Sequence, residues 1–143
     1  MNSEKSTQLM SATDHFSVLL SPTPRGARLA RLLATDWMRD RDLPHRVAEA
    51  AEHLVAELAA NAATHGRLAG RDFRLALLDH DATLRIEITD TRGDELPRRR
   101  PPAPDDESGR GLLLVEALAD RWGVRLGPVP HKTVWAELDL PPA

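Results

Sequence analysis

One stretch constrains the architecture more than any other. Between Val47 and His65 the apolar residues recur at helical spacing, with Val47, Leu54 and Leu58 on one arc. At about 100° per residue, Asn61 falls roughly 20° from Leu54, inside that arc, and Glu57 lies about 60° from its centre, at the margin. An amide within an apolar stripe must find partners or cost about 1–3 kcal/mol. A carboxylate and an amide so placed mark a ligand or metal pocket between this helix and the surface it packs on.

The flanking segments say what that surface is. His15 to Leu20 reads as a first strand, closed by Ser21-Pro22, and Thr23-Pro24 supplies a cap and first helical residue. Leu29, Leu33 and Trp37 then trace a helical face to about Arg41, Asp42-Leu43-Pro44 punctuates, and Gly66 ends the second helix. Phe73 to Leu77 alternates, a turn follows at Asp79 to Asp81, and Leu84 to Asp90 alternates again, which predicts a hairpin. Asp90 shares parity with Leu84, Ile86 and Ile88 and so ends a buried face, an awkward place for a carboxylate without a donor.

Residues 91–109 differ in kind: Arg98 to Arg100, prolines at 97, 101, 102 and 104, then Asp105-Asp106-Glu107. They predict a long surface loop, a lid at about 92–108. A helix from Gly111 to Ala119 and strands at Trp122 to Leu126 and Thr133 to Leu140 complete the chain. The order predicts an α+β, two-layer sandwich with helices on one face of a mixed, mostly antiparallel sheet, spanning 14–143 behind a loose tail at 1–13.

Composition removes several function classes. The chain of 143 residues has a net charge of -3, which gives no electrostatic case for direct nucleic-acid or membrane binding. It has no cysteine, so thiol chemistry and thiolate-bound metals are excluded. The N-terminus lacks an apolar signal core, and no stretch approaches the ~18 apolar residues of a span. A cytoplasmic protein is expected.

Taken together, Glu57-x-x-x-Asn61-Ala-x-x-His65-Gly66, Asp90 and Gly109-Arg110-Gly111-Leu112 resemble, in order and spacing, the N, G1 and G2 boxes of the GHKL (Bergerat-fold) ATP-binding superfamily. Lys132-Thr133-Val134-Trp135 is similar to its threonine-bearing last strand. Within the superfamily the chain looks most like bacterial anti-sigma-factor serine/threonine kinases and their ATP-binding regulatory relatives. The resemblance implies ATP and Mg²⁺ as cofactors, with Glu57 as general base, Asn61 as metal ligand and Asp90 as reader of the adenine amino group. His65, Gly93, Gly109, Arg110, Gly111, Leu112 and Thr133 would complete the nucleotide site. It also implies an anti-sigma-factor antagonist as phosphoacceptor, a sigma factor as second partner, and a homodimer.

Plainer roles stand beside these. Asn61 also fits a core amide, Glu57 a solvated helix margin, Asp90 a turn aspartate, His65 a helix-terminal cation, and the glycines a loop-to-helix turn. One departure favours a second reading. Where the family often has Asp-x-Gly-x-Gly, this chain has Asp90-Thr91-Arg92-Gly93-Asp94, with Gly93 out of register. Glycines let backbone approach a ligand closely, so their displacement supports a kinase-inactive, partner-binding module of the same fold.

Overall fold

The computed structural model describes residues 14–66, 71–90, 107–128 and 131–141, with the side chains of 65–66 and 107–111 outside the description. The expected tail at 1–13 and the expected lid as far as 106 therefore lie outside the described residues. Strand β1 (His15–Leu20) leads into helices α1 (Pro24–Arg39) and α2 (His45–Gly66). The hairpin β2 (Phe73–His80) and β3 (Thr83–Asp90) follows, then α3 (Glu107–Leu118), β4 (Arg121–Leu126) and β5 (Lys132–Asp139). The five strands form one sheet in the order β1-β2-β3-β5-β4, and every neighbouring pair is antiparallel. No described helix is long and apolar enough to cross a membrane.

Local chemistry accounts for the boundaries. Thr23 is extended (φ -136°, ψ 163°), and its hydroxyl accepts the Gly26 amide at 3.0 Å, satisfying one orphan donor of α1. Pro24 follows at the position where a missing N–H is harmless. A Cβ on Gly26 would stand 1.9 Å from the Ser21 carbonyl oxygen, so glycine is required where α1 crosses the end of β1. Past the C-terminus of α1, Arg41 lies 3.8 Å over the Trp37 ring and reaches Asp14 at 3.2 Å and Asp79 at 3.7 Å. It thus ties the helix pair to the β1–β2 edge.

The core lies between α2 and the sheet. Leu54, Val55 and Leu58 of α2 are buried against Phe73, Leu75 and Leu77 of β2 and Leu84, Ile86 and Ile88 of β3. Ala30, Ala34 and Met38 of α1 and Val115 of α3 close its two sides. Alternation in β3 is unbroken, with Leu84, Ile86, Ile88 and Asp90 buried and the residues between them half-buried. The α+β two-layer arrangement is as expected, and the sheet is antiparallel at every described pairing.

Two boundaries differ from the sequence expectation by a whole turn or hairpin residue pair, while the rest agree to within one or two residues. Strand β2 continues through Leu78-Asp79-His80, because these residues pair with Arg85, Leu84 and Thr83. The hairpin therefore closes on Asp81-Ala82, at φ 54° and 57°. Both central residues are left-handed, the geometry that matches strand twist and normally selects glycine. Helix α3 begins at Glu107 rather than at Gly111, so Gly109 also lies inside it.

The turn yields a test. A side chain at left-handed φ costs roughly 1–2 kcal/mol, partly offset by glycine's larger unfolded-state entropy. Ala82→Gly should therefore raise stability by about 0.5–1 kcal/mol in urea unfolding, and a lower midpoint at unchanged slope would contradict the strain.

Candidate functional site

Beside the core, α2, α3 and the β3–β5–β4 end of the sheet enclose a cleft with about 510 Å³ of empty space, part of it open to solvent. Leu58, Ala62, Ile88, Leu112, Val124 and Val134 form apolar walls. Asn61, Asp90 and Lys132 supply the polar groups. Apolar walls with a few convergent polar groups are the usual make-up of a small-molecule site.

Strand parity brings these groups together. Asp90 pairs with Lys132 across β3 and β5, and Ile88 pairs with Val134 beneath them, all on the helix side of the sheet. Asp90 is only 6% exposed. Asn61 comes from the opposite wall, on α2, and is half-buried. Its side chain makes no hydrogen bond among the described residues. Glu57 is also half-buried, one turn earlier on α2, beside the cleft but outside its lining.

The remaining residues expected at the site divide into three groups. Leu112 lines the cleft as a wall residue. Gly109, Arg110 and Gly111 are in the opening turns of α3, and His65 near the end of α2, but their side chains lie outside the described residues, as does Gly93 altogether. Thr133 is placed differently. Its hydroxyl is 2.8 Å from that of Thr89 on the opposite face of the sheet, and it lines a separate pocket there. The reason is the two-residue period of a strand: with Val134 toward the helices, Thr133 must point away.

The same parity identifies the group that sequence reasoning overlooked. Lys132, one residue earlier, is the β5 side chain that faces the cleft beside Asp90. The signal was present, since Val134, Ala136 and Leu138 share its parity and are apolar.

Metal binding by protein ligands alone finds no support among the described residues, where no group of three His, Cys, Asp or Glu side chains converges. The Asn61 amide oxygen, unbonded and at the cleft, does fit Mg²⁺ in the manner of nucleotide enzymes, where phosphates and water supply most of the ligands.

Comparison with known proteins gives this architecture a family. The model of the histidine kinase-like ATPase domain matches residues 20–136, and the chain belongs to that family. Its fold is similar to that of the RsbU and RsbW domains of Rv1364c from Mycobacterium tuberculosis, at TM-score 0.68 and 20% identity over 88% of this chain. The chain spans 32% of the length of that protein. A chain of the SiaB–SiaC complex from Pseudomonas aeruginosa is similar at TM-score 0.71 and 10% identity, covering 96% of this chain and 97% of its own. A search of curated proteins finds no match.

Asn61 offers a direct check on whether the cleft is built for a ligand or for the fold. A polar group with no partner contributes little to stability, and its replacement by an apolar one of similar size is neutral or favourable. Asn61→Leu should leave the urea midpoint unchanged or higher. A loss of more than about 1 kcal/mol would make Asn61 a structural amide.

Proposed function

We propose that the chain binds ATP with Mg²⁺ in the α2–α3 cleft and transfers phosphate to a serine or threonine of an anti-sigma-factor antagonist. A sigma factor is the competing partner, and the working form is a homodimer. The observation that carries this reading is the meeting of Asn61 and Asp90 in one cleft of a histidine kinase-like ATPase domain.

Each residue has a part that its position supports. Asp90, at the buried end of β3, accepts a hydrogen bond from the exocyclic amine of the base. Lys132 donates to a ring acceptor beside it, and the apolar walls take the faces of the ring. Asn61 presents its amide oxygen to the metal. The opening turns of α3 offer unpaired backbone amides and the positive end of a helix dipole to phosphate oxygens. The bound nucleotide supplies the γ-phosphoryl group. Glu57, beside the cleft, takes the proton of the incoming hydroxyl as a general base.

A second reading, the partner-binding module without kinase activity, has its own support. Arg92 and Asp94 stand where the family often has glycine. A groove between the end of β1 and α1 also exposes Leu19, Leu29 and Leu32 beside Arg25 and Arg28, chemistry suited to docking an acidic partner. Both readings share the nucleotide cleft and differ in output.

Two variants separate them. Asp90→Asn should weaken ATP binding in calorimetry by about 1.5–3 kcal/mol, the worth of a hydrogen bond to a charged group, with the fold retained. Unchanged affinity in a folded variant would remove Asp90 from the base site. Glu57→Gln should hold ATP affinity within a few-fold while phosphate transfer to the antagonist falls by about 10²–10⁴. If wild type and Glu57→Gln bind ATP equally and both are inert toward every antagonist offered, the module reading replaces the kinase.

A further inference from the structure

The sheet face turned away from the helices carries two kinds of arginine. At one end, Arg85 pairs with Glu87 and Glu137 at 2.7 Å each, and Arg121 pairs with Glu137 at 2.9 Å and with Asp139. The Glu137 carboxyl is held below its usual range by hydrogen bonds from Arg121 and Arg85. Arg85 also lies 4.4 Å from the centre of the Trp135 ring, which rests on the bare backbone of Gly123. Every charge in that ladder is answered within the protein.

At the other end the charges are not answered. The register sets Leu19, Arg74, Thr89, Thr133 and Arg125 in one row across the sheet. They line an open pocket with about 720 Å³ of empty space, part of it bulk solvent, together with Asp72, His131 and the Gly127-Pro128 turn. Arg74 bonds only the neutral hydroxyl of Ser17, at 3.0 Å, and Arg125 has no hydrogen bond or ion pair among the described residues. Asp72, the carboxylate among these lining residues, ion-pairs with neither arginine. Between the arginines lies the Thr89–Thr133 hydroxyl pair at 2.8 Å, with Thr133 3% exposed. One hydroxyl donates to the other, so the acceptor's own hydrogen remains free to donate. His131 is oriented by a contact of 3.1 Å between Nδ1 and the Pro128 carbonyl oxygen.

We propose that this outer-face pocket is an anion site for a phosphate group, free or carried by a small monoester. Two guanidinium forks from either side and a hydroxyl from below supply donors in several directions, which suits a tetrahedral dianion better than a planar carboxylate. Leu19 and Pro128 leave an apolar wall beside it for an organic substituent. The site lies on the other face of the sheet from the α2–α3 cleft and does not depend on what that cleft binds.

The test is a titration of the full chain with inorganic phosphate at constant ionic strength, followed by amide NMR shifts. Saturable shifts centred on Thr89, Arg125, His131 and Thr133 are expected. The double variant Arg74→Gln/Arg125→Gln, checked for an unchanged fold by its melting curve, should bind about tenfold or more weakly, the scale of one lost charge-assisted bond. Arg31→Gln, on α1, should match wild type. Glycerol phosphate binding more tightly than inorganic phosphate would identify a monoester as the source, and equal binding would identify free phosphate. Shifts confined to the α2–α3 cleft, a linear response without saturation, or equal affinity in the folded double variant would each overturn the proposal.

Discussion

Burial of α2 against β2, β3 and β5 divides the strand residues between a dry side and a wet one, and most of the molecule's chemistry follows from that division. With Leu54, Val55 and Leu58 seated on Leu75, Leu77, Leu84 and Ile86, a slip of one residue in any central strand would turn its apolar set to water. The register is therefore fixed by the hydrophobic effect, at about 25 cal/mol per Å² of apolar surface removed from solvent. Once it is fixed, so is the side on which each polar residue must stand. Asp90 and Lys132 have no alternative to the cleft, nor Thr89 and Thr133 to the outer face.

Those assignments carry costs that packing alone does not explain. A carboxylate near the end of a buried face loses much of its hydration, and an amide set among leucine and alanine gains nothing from the core. Apolar residues at either place would extend the core built by Ile88, Val134 and Leu58. Keeping polar groups there trades stability for a shaped, polar-edged pocket, the pattern of a binding site rather than of a folding unit. The contrast with the Arg85–Glu137–Arg121 ladder is instructive. There, each charge is partly exposed and has a partner on a neighbouring strand, which is how a sheet keeps a wet face soluble without preparing it for a ligand.

Much of this was legible in the sequence. The helical period of 47–65, the Thr23-Pro24 start and the alternation of 84–90 predicted α1, α2 and β3 nearly to the residue, because each reflects one strong local preference that the tertiary structure also satisfies. Where two preferences compete, the local one misleads. Leu78-Asp79-His80 breaks the apolar alternation, yet its backbone completes the β2–β3 ladder. Asp81-Ala82 carries no glycine to announce its turn, and ladder closure overrides the local strain. Glycines at 109 and 111 look like a helix boundary, but the opening turns of a helix tolerate them, the first amides being unbonded in any case. At the site, Asn61 and Asp90 are legible from periodicity, whereas the family pattern points to Thr133 and only a shared parity with Val134, Ala136 and Leu138 points to Lys132.

The two pockets also share one pair of strands. Asp90–Lys132 and Thr89–Thr133 are adjacent rungs of the same β3–β5 ladder, one facing the cleft and the next facing the outer pocket. The two-residue alternation of a strand puts neighbouring side chains on opposite faces of the sheet. A single antiparallel pair thus serves as a wall for both pockets, and the alternation of its side chains lets each face carry its own polar groups without disturbing the packing that fixes the register.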